Sequence, residues 1–462
     1  MTSERPAEAR SQPLSGRFLF NINFVFVTSL TSNTIGFAVA ILMARALGPD
    51  GRGATALYQA AVTLGYAFLN LGLSSAVFYF VARKELSGRQ ATQAGLSVTL
   101  GAAAITALGV LIAALLFDER LSERHIPYGL AILTVPAVIQ LRLCEGLLRA
   151  EGRFGAMNAL ELGLPVSMLA FLGGTELLWG LTVPRAVWAW SLAFLPPLAV
   201  GYALLGREYW PRGLAPVSML VKMARFGGQS QLGNLIQLLN YRLDVFLILF
   251  LVNTGGVGLY TVASSQTEGL WIIANSVAIV LLTNITSGDA DNAARMTPIT
   301  CRNTLLVTAV CALVAAAIAG LWIPVVFGSK YEDSVAAYIW LLPGTVALSG
   351  AKILAAYVFS RGRPMINTWI SLATLIAGLP IEVTLISLFG VTGAAAGTSL
   401  SYVLTLFLTA MAYRRLSGGS IVEALVPQRS DVALYVDAVR SIPRRLKRRT
   451  VVEPGSAPTI EA

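Results

Sequence analysis

Eight ionisable residues stand inside runs that are otherwise apolar: Arg142, Glu145, Glu161, Arg242, Asp244, Glu268, Lys352 and Glu382. A charge in such surroundings is costly and is retained where it binds something or is itself bound. Arg142, Arg242 and Lys352 are of the type that holds an anion, and the carboxylates are of the type that takes up and gives back a proton or a metal ion. Nothing in the set spells hydrolysis or redox chemistry. One His and three Cys, Cys144, Cys301 and Cys311, exclude most zinc, haem and iron-sulfur sites, which need several such ligands close together. The cysteines lie in apolar runs and read as packed thiols, and His125, among Asp118, Glu119 and Glu123, reads as a solvated residue. The run 393–397, GAAAG, lacks the Lys of a phosphate loop and is a small-residue packing face. The expectation is a protein with no catalytic residue, no cofactor and no resident metal, hence not an enzyme.

The elements that must position these groups follow from composition. Of 462 residues, 55% are hydrophobic and 13% charged, with a mean hydropathy of +0.69. A soluble protein carries about 25% charged residues on average. Apolar runs of membrane-crossing length occur at 18–43, 54–81, 91–117, 126–148, 155–180, 183–205, 226–252, 257–286, 304–327, 336–360, 365–389 and 391–413. The reading is an all-α integral membrane protein of about 12 transmembrane helices. The first run is too long for a signal-peptide core and has no convincing cleavage site, so it is expected to be retained.

An even number of spans puts both termini on one side. Most of the 34 Lys and Arg fall in the segments on that side, and the opposite side has few: Arg45, Arg52, Arg120, Arg124, Arg185 and Lys330. The positive-inside rule then puts both termini in the cytoplasm of a cell whose cytoplasmic membrane holds the protein. It also accounts for the net charge of +10 with no nucleic acid as partner. The connecting loops are too short for a soluble catalytic domain.

Internal repetition fixes the expected architecture. Gly51 and Gly53 match Gly256 and Gly258 at an offset of 205, as Arg17 matches Lys222. Glu151-Gly152-Arg153 matches Arg361-Gly362-Arg363 at 210, and Arg142 matches Lys352 at the same offset. The expected organisation is a cytoplasmic segment at 1–17, a six-helix bundle at 18–206, a linker at 207–218, a second six-helix bundle at 219–414 and a basic tail at 415–462. Two bundles in parallel leave a cleft between them, the geometry of alternating access.

The stretch 42–53, LMARALGPDGRG, followed by 70–76, NLGLSSA, resembles the first two helices of polysaccharide-exporting flippases. Asp244 with 257–263, VGLYTVA, is similar to that family's seventh and eighth helices, and 147–154, LLRAEGRF, to the end of its fourth. The resemblance covers about 18–413 and implies the MATE-like fold of the multidrug/oligosaccharidyl-lipid/polysaccharide exporter superfamily. It implies a polyprenyl-pyrophosphate-linked oligosaccharide as substrate, moved to the outer leaflet of a bacterial inner membrane.

A pyrophosphate cannot cross hydrocarbon unaided and needs buried cations. At 1.5 Å per residue, Lys352 lies about 14 Å and Arg142 about 10 Å from the cytoplasmic ends of their helices, and Arg242 about 15 Å from the outer end of its own. These three are the expected pyrophosphate ligands; the competing reading is interhelical glue, with Arg142 and Glu145 neutralising each other across one helical turn. Ser230, Asn234, Gln237, Tyr241 and Asp244 form one polar stripe, with a shorter one at Asn23, Ser29, Asn33 and Gly36. A polar stripe cannot face lipid. Asn234, Gln237, Tyr241 and Asn33 are therefore assigned to sugar hydroxyls, or else to hydrogen-bonded helix packing. Arg17, Lys222 and Arg225 are expected at the cytoplasmic entrance. Asp244 and Glu268 are expected to share a coupling H⁺ or Na⁺, since no nucleotide site is present. In the tail, Val432, Tyr435, Val436 and Val439 precede a basic cluster suited to an anionic leaflet. Membrane lipids and a polysaccharide polymerase or other glycan-assembly protein are the remaining expected partners. The rival readings are an ion-coupled drug or metabolite antiporter of the same fold, a membrane glycan polymerase, and a scaffold.

Overall fold

The computed structural model describes residues 16–122, 127–286 and 290–428. All regular elements among them are helical, as expected where lipid leaves backbone groups no partner outside their own helix. They are α1 (Gly16–Leu69), α2 (Leu73–Ala82), α3 (Gly88–Ser122), α4 (Ala131–Ala150), α5 (Phe154–Trp179), α6 (Val183–Leu192) and α7 (Leu195–Leu205). They continue with α8 (Val217–Leu251), α9 (Thr254–Thr286), α10 (Ala290–Phe327), α11 (Ser334–Ser360), α12 (Pro364–Ser417) and α13 (Ile421–Leu425). Nine stretches among the described residues are long and apolar enough to cross a membrane, which makes this a multi-pass membrane protein. The amphipathic tail lies outside the described residues.

Two elements are double length. α1 and α12 each hold 54 residues, about 80 Å if straight, and each turns at a non-helical glycine, Gly48 (φ 66°) and Gly390 (φ 59°). These are the junctions between the first and second, and the last two, apolar runs of the sequence. Two runs expected to be continuous are broken. Run 54–81 is interrupted where Leu71 (φ 49°) and Gly72 (φ 71°) leave the helical region, and run 183–205 is split into α6 and α7 just before Pro196.

The chain forms two compact units, one built on the described parts of Met1–Ser265 with Ile318–Trp340 and Ser371–Thr398, the other on those of Gln266–Ala317, Leu341–Ile370 and Ser399–Ala462. Helices α9, α10, α11 and α12 contribute to both. Lipid tails are as apolar as the side chains, so helix association leans on close packing and on buried polar groups that find each other. In the first unit the Tyr58 hydroxyl, under a ring almost wholly buried against Trp190, lies 2.9 Å from the hydroxyls of both Thr134 and Ser191. In the second, Tyr357 and Tyr413 meet edge to face at 5.0 Å over Cys301, Ile353 and Leu354. The turns after α4 and α11 share one backbone form, with Gly152 and Gly362 both at φ 71°, at the positions the sequence repeat pairs.

Candidate functional site

Within the first unit, α8 is flanked by two closures, one at each end. Near its start, the Lys222 ammonium stands 3.3 Å from the Glu85 carboxylate, beyond the end of α2, and 4.6 Å from the centre of the Phe80 ring. Arg83 holds the same carboxylate at 3.2 Å. Phe226 stacks on Tyr79 at 4.3 Å. Deeper along the same seam the backbones touch, because a Cβ on Gly72 would lie 2.3 Å from the Gly227 carbonyl. Only a residue without a side chain permits that approach.

Beyond the other end of α8, Pro49–Gly53 crosses Thr254–Gly258. A Cβ on Gly53 would lie 1.9 Å from the Thr254 carbonyl oxygen, and one on Gly258 would lie 1.9 Å from the Pro49 carbonyl oxygen. The two contacts are reciprocal: residues 49 and 53 stand to 254 and 258 at the repeat offset of 205. Arg45 Nε donates to the Val326 carbonyl at 2.8 Å and its Nη2 to that of Val325, so a cation sits at the negative C-terminal end of α10. The Tyr331 hydroxyl donates to the Ala44 carbonyl at 3.1 Å.

Beneath this second contact is a residue that the charge count placed on the side opposite the termini. Arg52 is 7% exposed. Its side chain turns back along α1, Nη1 reaching Gln59 Oε1 at 3.4 Å, and its Nε meets no acceptor among the described residues. Arg242, from α8, lies close enough for the two guanidinium charges to repel. The available signal was the glycine on either side of Arg52: a turn tight enough to need both leaves little room for solvent.

The expected ligands fall in different settings. Arg142 pairs with Glu145 at 2.8 Å, the arrangement weighed as interhelical glue, although its side chain remains 44% exposed. Lys352, in the second unit, donates to Asn275 Oδ1 at 2.9 Å and lies 4.4 Å from the centre of the Trp271 ring. Glu268, Trp271 and Asn275 share one face of α9, and Lys352 feels the attraction of Glu268. Asp244 is buried in the first unit, accepting from the Tyr260 hydroxyl and from the Val245 amide at 2.8 Å. Tyr260 continues to Thr398 at 3.0 Å. Along the stripe, Asn234 is exposed and Tyr241 half-buried, while Gln237 accepts from the Ser371 hydroxyl at 3.1 Å. Asn33 is exposed and donates to the Ser29 carbonyl, and the Ser29 hydroxyl donates to Glu161 at 2.8 Å. Arg225 is exposed beside Lys222. The Arg17 side chain lies outside the described residues.

Known proteins share this architecture. The lipid II flippase MurJ in its inward closed conformation superposes with a TM-score of 0.69 over 85% of this chain and 87% of its own, at 13% identity. An inward-facing multidrug resistance MATE family transporter gives 0.65 over 85% and 98%, at 14% identity. The MATE-like fold expected from the resemblance is thus the fold observed. In sequence, a protein of Haloferax volcanii described as a low-salt glycan biosynthesis flippase, Agl15, is 22% identical over 84% of this chain and 81% of its own length. A protein of Shigella flexneri described as an O-antigen transporter is 21% identical over 83% and 96%. The sequence profile of the polysaccharide biosynthesis protein family matches residues 18–283, more than half of the chain, and the chain belongs to that family.

Proposed function

We propose that this protein is a flippase that moves a polyprenyl-pyrophosphate-linked oligosaccharide from the cytoplasmic to the outer leaflet of a bacterial inner membrane by alternating access between two six-helix halves. The observation that carries the reading is the setting of Lys352. Its ammonium is held in direct contact by a neutral amide and an indole face, which orient the charge without cancelling it, and Glu268 attracts it without forming an ion pair with it among the described residues, so it stays available to an anion. Both termini are cytoplasmic, which makes the Lys222 closure the inner gate and the glycine crossing the outer one. Arg17 and Arg225 complete the entrance with Lys222, and Arg142, Arg242 and the stripe residues Asn234, Gln237, Tyr241 and Asn33 line the path. Asp244 and Glu268 take the coupling H⁺ or Na⁺. Membrane lipids surround the path, and a polymerase or other glycan-assembly protein receives the product.

Lys352→Met should abolish glycan export in a complementation assay while the protein stays folded in the membrane; undiminished export with that variant would remove the assignment. Glu268→Gln should make transport in proteoliposomes indifferent to a pH or Na⁺ gradient. The rival drug antiporter draws support from the buried Asp244–Tyr260–Thr398 network, which offers a carboxylate to a cationic drug, and it predicts transport of cations unaffected by Lys352→Met.

A further inference from the structure

Arg52 is a charge without an answering charge. A guanidinium in a low-dielectric setting is strongly destabilising unless it is paired and fully hydrogen-bonded. Here it is 7% exposed, its hydrogen bond goes to the neutral Gln59 amide, and its Nε meets no acceptor among the described residues. Asp50 is two residues away, and no ion pair joins the two among the described residues. Of its electrostatic neighbours, Tyr331 favours the charge and a second cation, Arg242, opposes it. A fold that needed Arg52 only as a strut would have supplied a carboxylate, as Glu145 serves Arg142. Two guanidinium groups approaching each other from α1 and α8 are a setting that an anion relieves, and planar forks with several donors suit phosphate oxygens.

The position adds to the argument. Arg52 belongs to the same five-residue segment, 49–53, that makes the glycine crossing with Thr254–Gly258. Its side chain points away from that crossing, along α1 toward Gln59. We propose that Arg52 and Arg242 form an anion seat beneath the glycine crossing, in addition to Lys352, which receives a phosphate group before its release. The seat extends the flippase reading and rests on it. Because Arg52 is part of the crossing, an anion that draws its guanidinium also pulls on the segment that must move for release.

The test uses the full chain purified in detergent micelles, with inorganic pyrophosphate and farnesyl pyrophosphate titrated by calorimetry at low salt. In a Lys352→Met background a saturable site for at least one of the probes should remain. Adding Arg52→Gln should weaken that site tenfold or more, and Arg52→Lys should restore most of the loss. Loss of all binding in Lys352→Met alone, or unchanged residual binding after Arg52→Gln, overturns the seat while leaving the flippase reading in place. Absence of binding to the unsubstituted protein overturns both. Should Arg52→Gln fail to fold, Arg242→Gln in the same background decides, and unchanged residual binding there overturns the proposal. Tighter residual binding of the farnesyl compound supports a seat for a lipid headgroup, and equal or tighter binding of inorganic pyrophosphate supports one for a free phosphate.

Discussion

The two closures that flank α8 are made of different materials. At the Lys222 end side-chain contacts, a salt bridge whose partners are 55% and 37% exposed and an aromatic stack beside it, lie next to the single backbone approach of Gly72 to Gly227. At the other end, Gly53 and Gly258 lie against backbone carbonyls, and no charged pair crosses the seam among the described residues. An exposed ion pair contributes about 0.2–1 kcal/mol and is screened by salt. A backbone crossing is governed by volume and fails abruptly when a side chain is added. The comparison sets a contact at the Lys222 end that loosens easily against a crossing that stays shut until a segment is displaced as a whole.

The sharpest way to break this comparison is to put volume into the outer crossing. Overpacking costs about 1–3 kcal/mol, which is about a 5- to 150-fold shift in an equilibrium. Gly258→Ala should bias the protein toward the form open at this crossing by that order, and Gly258→Leu should abolish transport. The check is labelling of a Thr254→Cys reporter, in a Cys311→Ser background, by a membrane-impermeant maleimide. No increase in labelling would mean that the crossing is not a closure.

A smaller effect is expected at the Lys222 end. Lys222→Glu places like charges together and should raise the apparent KM about 1.4- to 5-fold with little change in maximal rate, from the range for exposed ion pairs. Restoring the pair in the opposite sense with Glu85→Lys should recover most of the loss. An equal fall in KM-dependent and maximal rates, with no rescue, would assign Lys222 a role other than the gate. Least in size is the response to salt. Raising ionic strength from about 0.1 M to 1 M shortens the screening length from about 10 Å to 3 Å. Spin-label distances between α2 and α8 should then broaden by less than about a factor of two, while those across 49–53 and 254–258 should not change. Broadening at both ends would erase the distinction.

What could be read beforehand divides along the same line. The helices were legible because twenty consecutive apolar residues have few alternatives to a membrane-spanning helix, and the turns at Gly48 and Gly390 were legible as short polar or glycine breaks. The glycine crossing was half visible: the offset of 205 marked the equivalent residues, but equivalence in a repeat does not say that the two copies touch. The partner of Lys222 was not visible, since Glu85 is 137 positions away and nothing local distinguishes it from any other loop carboxylate. The break at Leu71 was hidden because Gly72 answers to Gly227 and not to its neighbours in the chain. The burial of Arg52 was not visible, because charge counting assigns a cation to a side of the membrane and says nothing of what packs over it, whereas a turn packed against another turn buries what it carries. Among the intramembrane charges, the Arg142–Glu145 pair followed from helical spacing alone, but the amide and indole around Lys352 come from another helix.

The hydrogen bonds from Arg45 to the end of α10 join residues 280 and 281 positions apart. During synthesis at about 5–20 residues per second, the first helix therefore waits roughly 15 to 60 seconds before its partners leave the ribosome. Throughout that interval Arg45 and the glycine turn beside it stand without their partners, at the membrane surface or within it. Truncated chains ending before residue 325 should accordingly be captured by insertion chaperones and quality-control proteases, so that this contact also serves the cell as a mark that the first helix has met its partner.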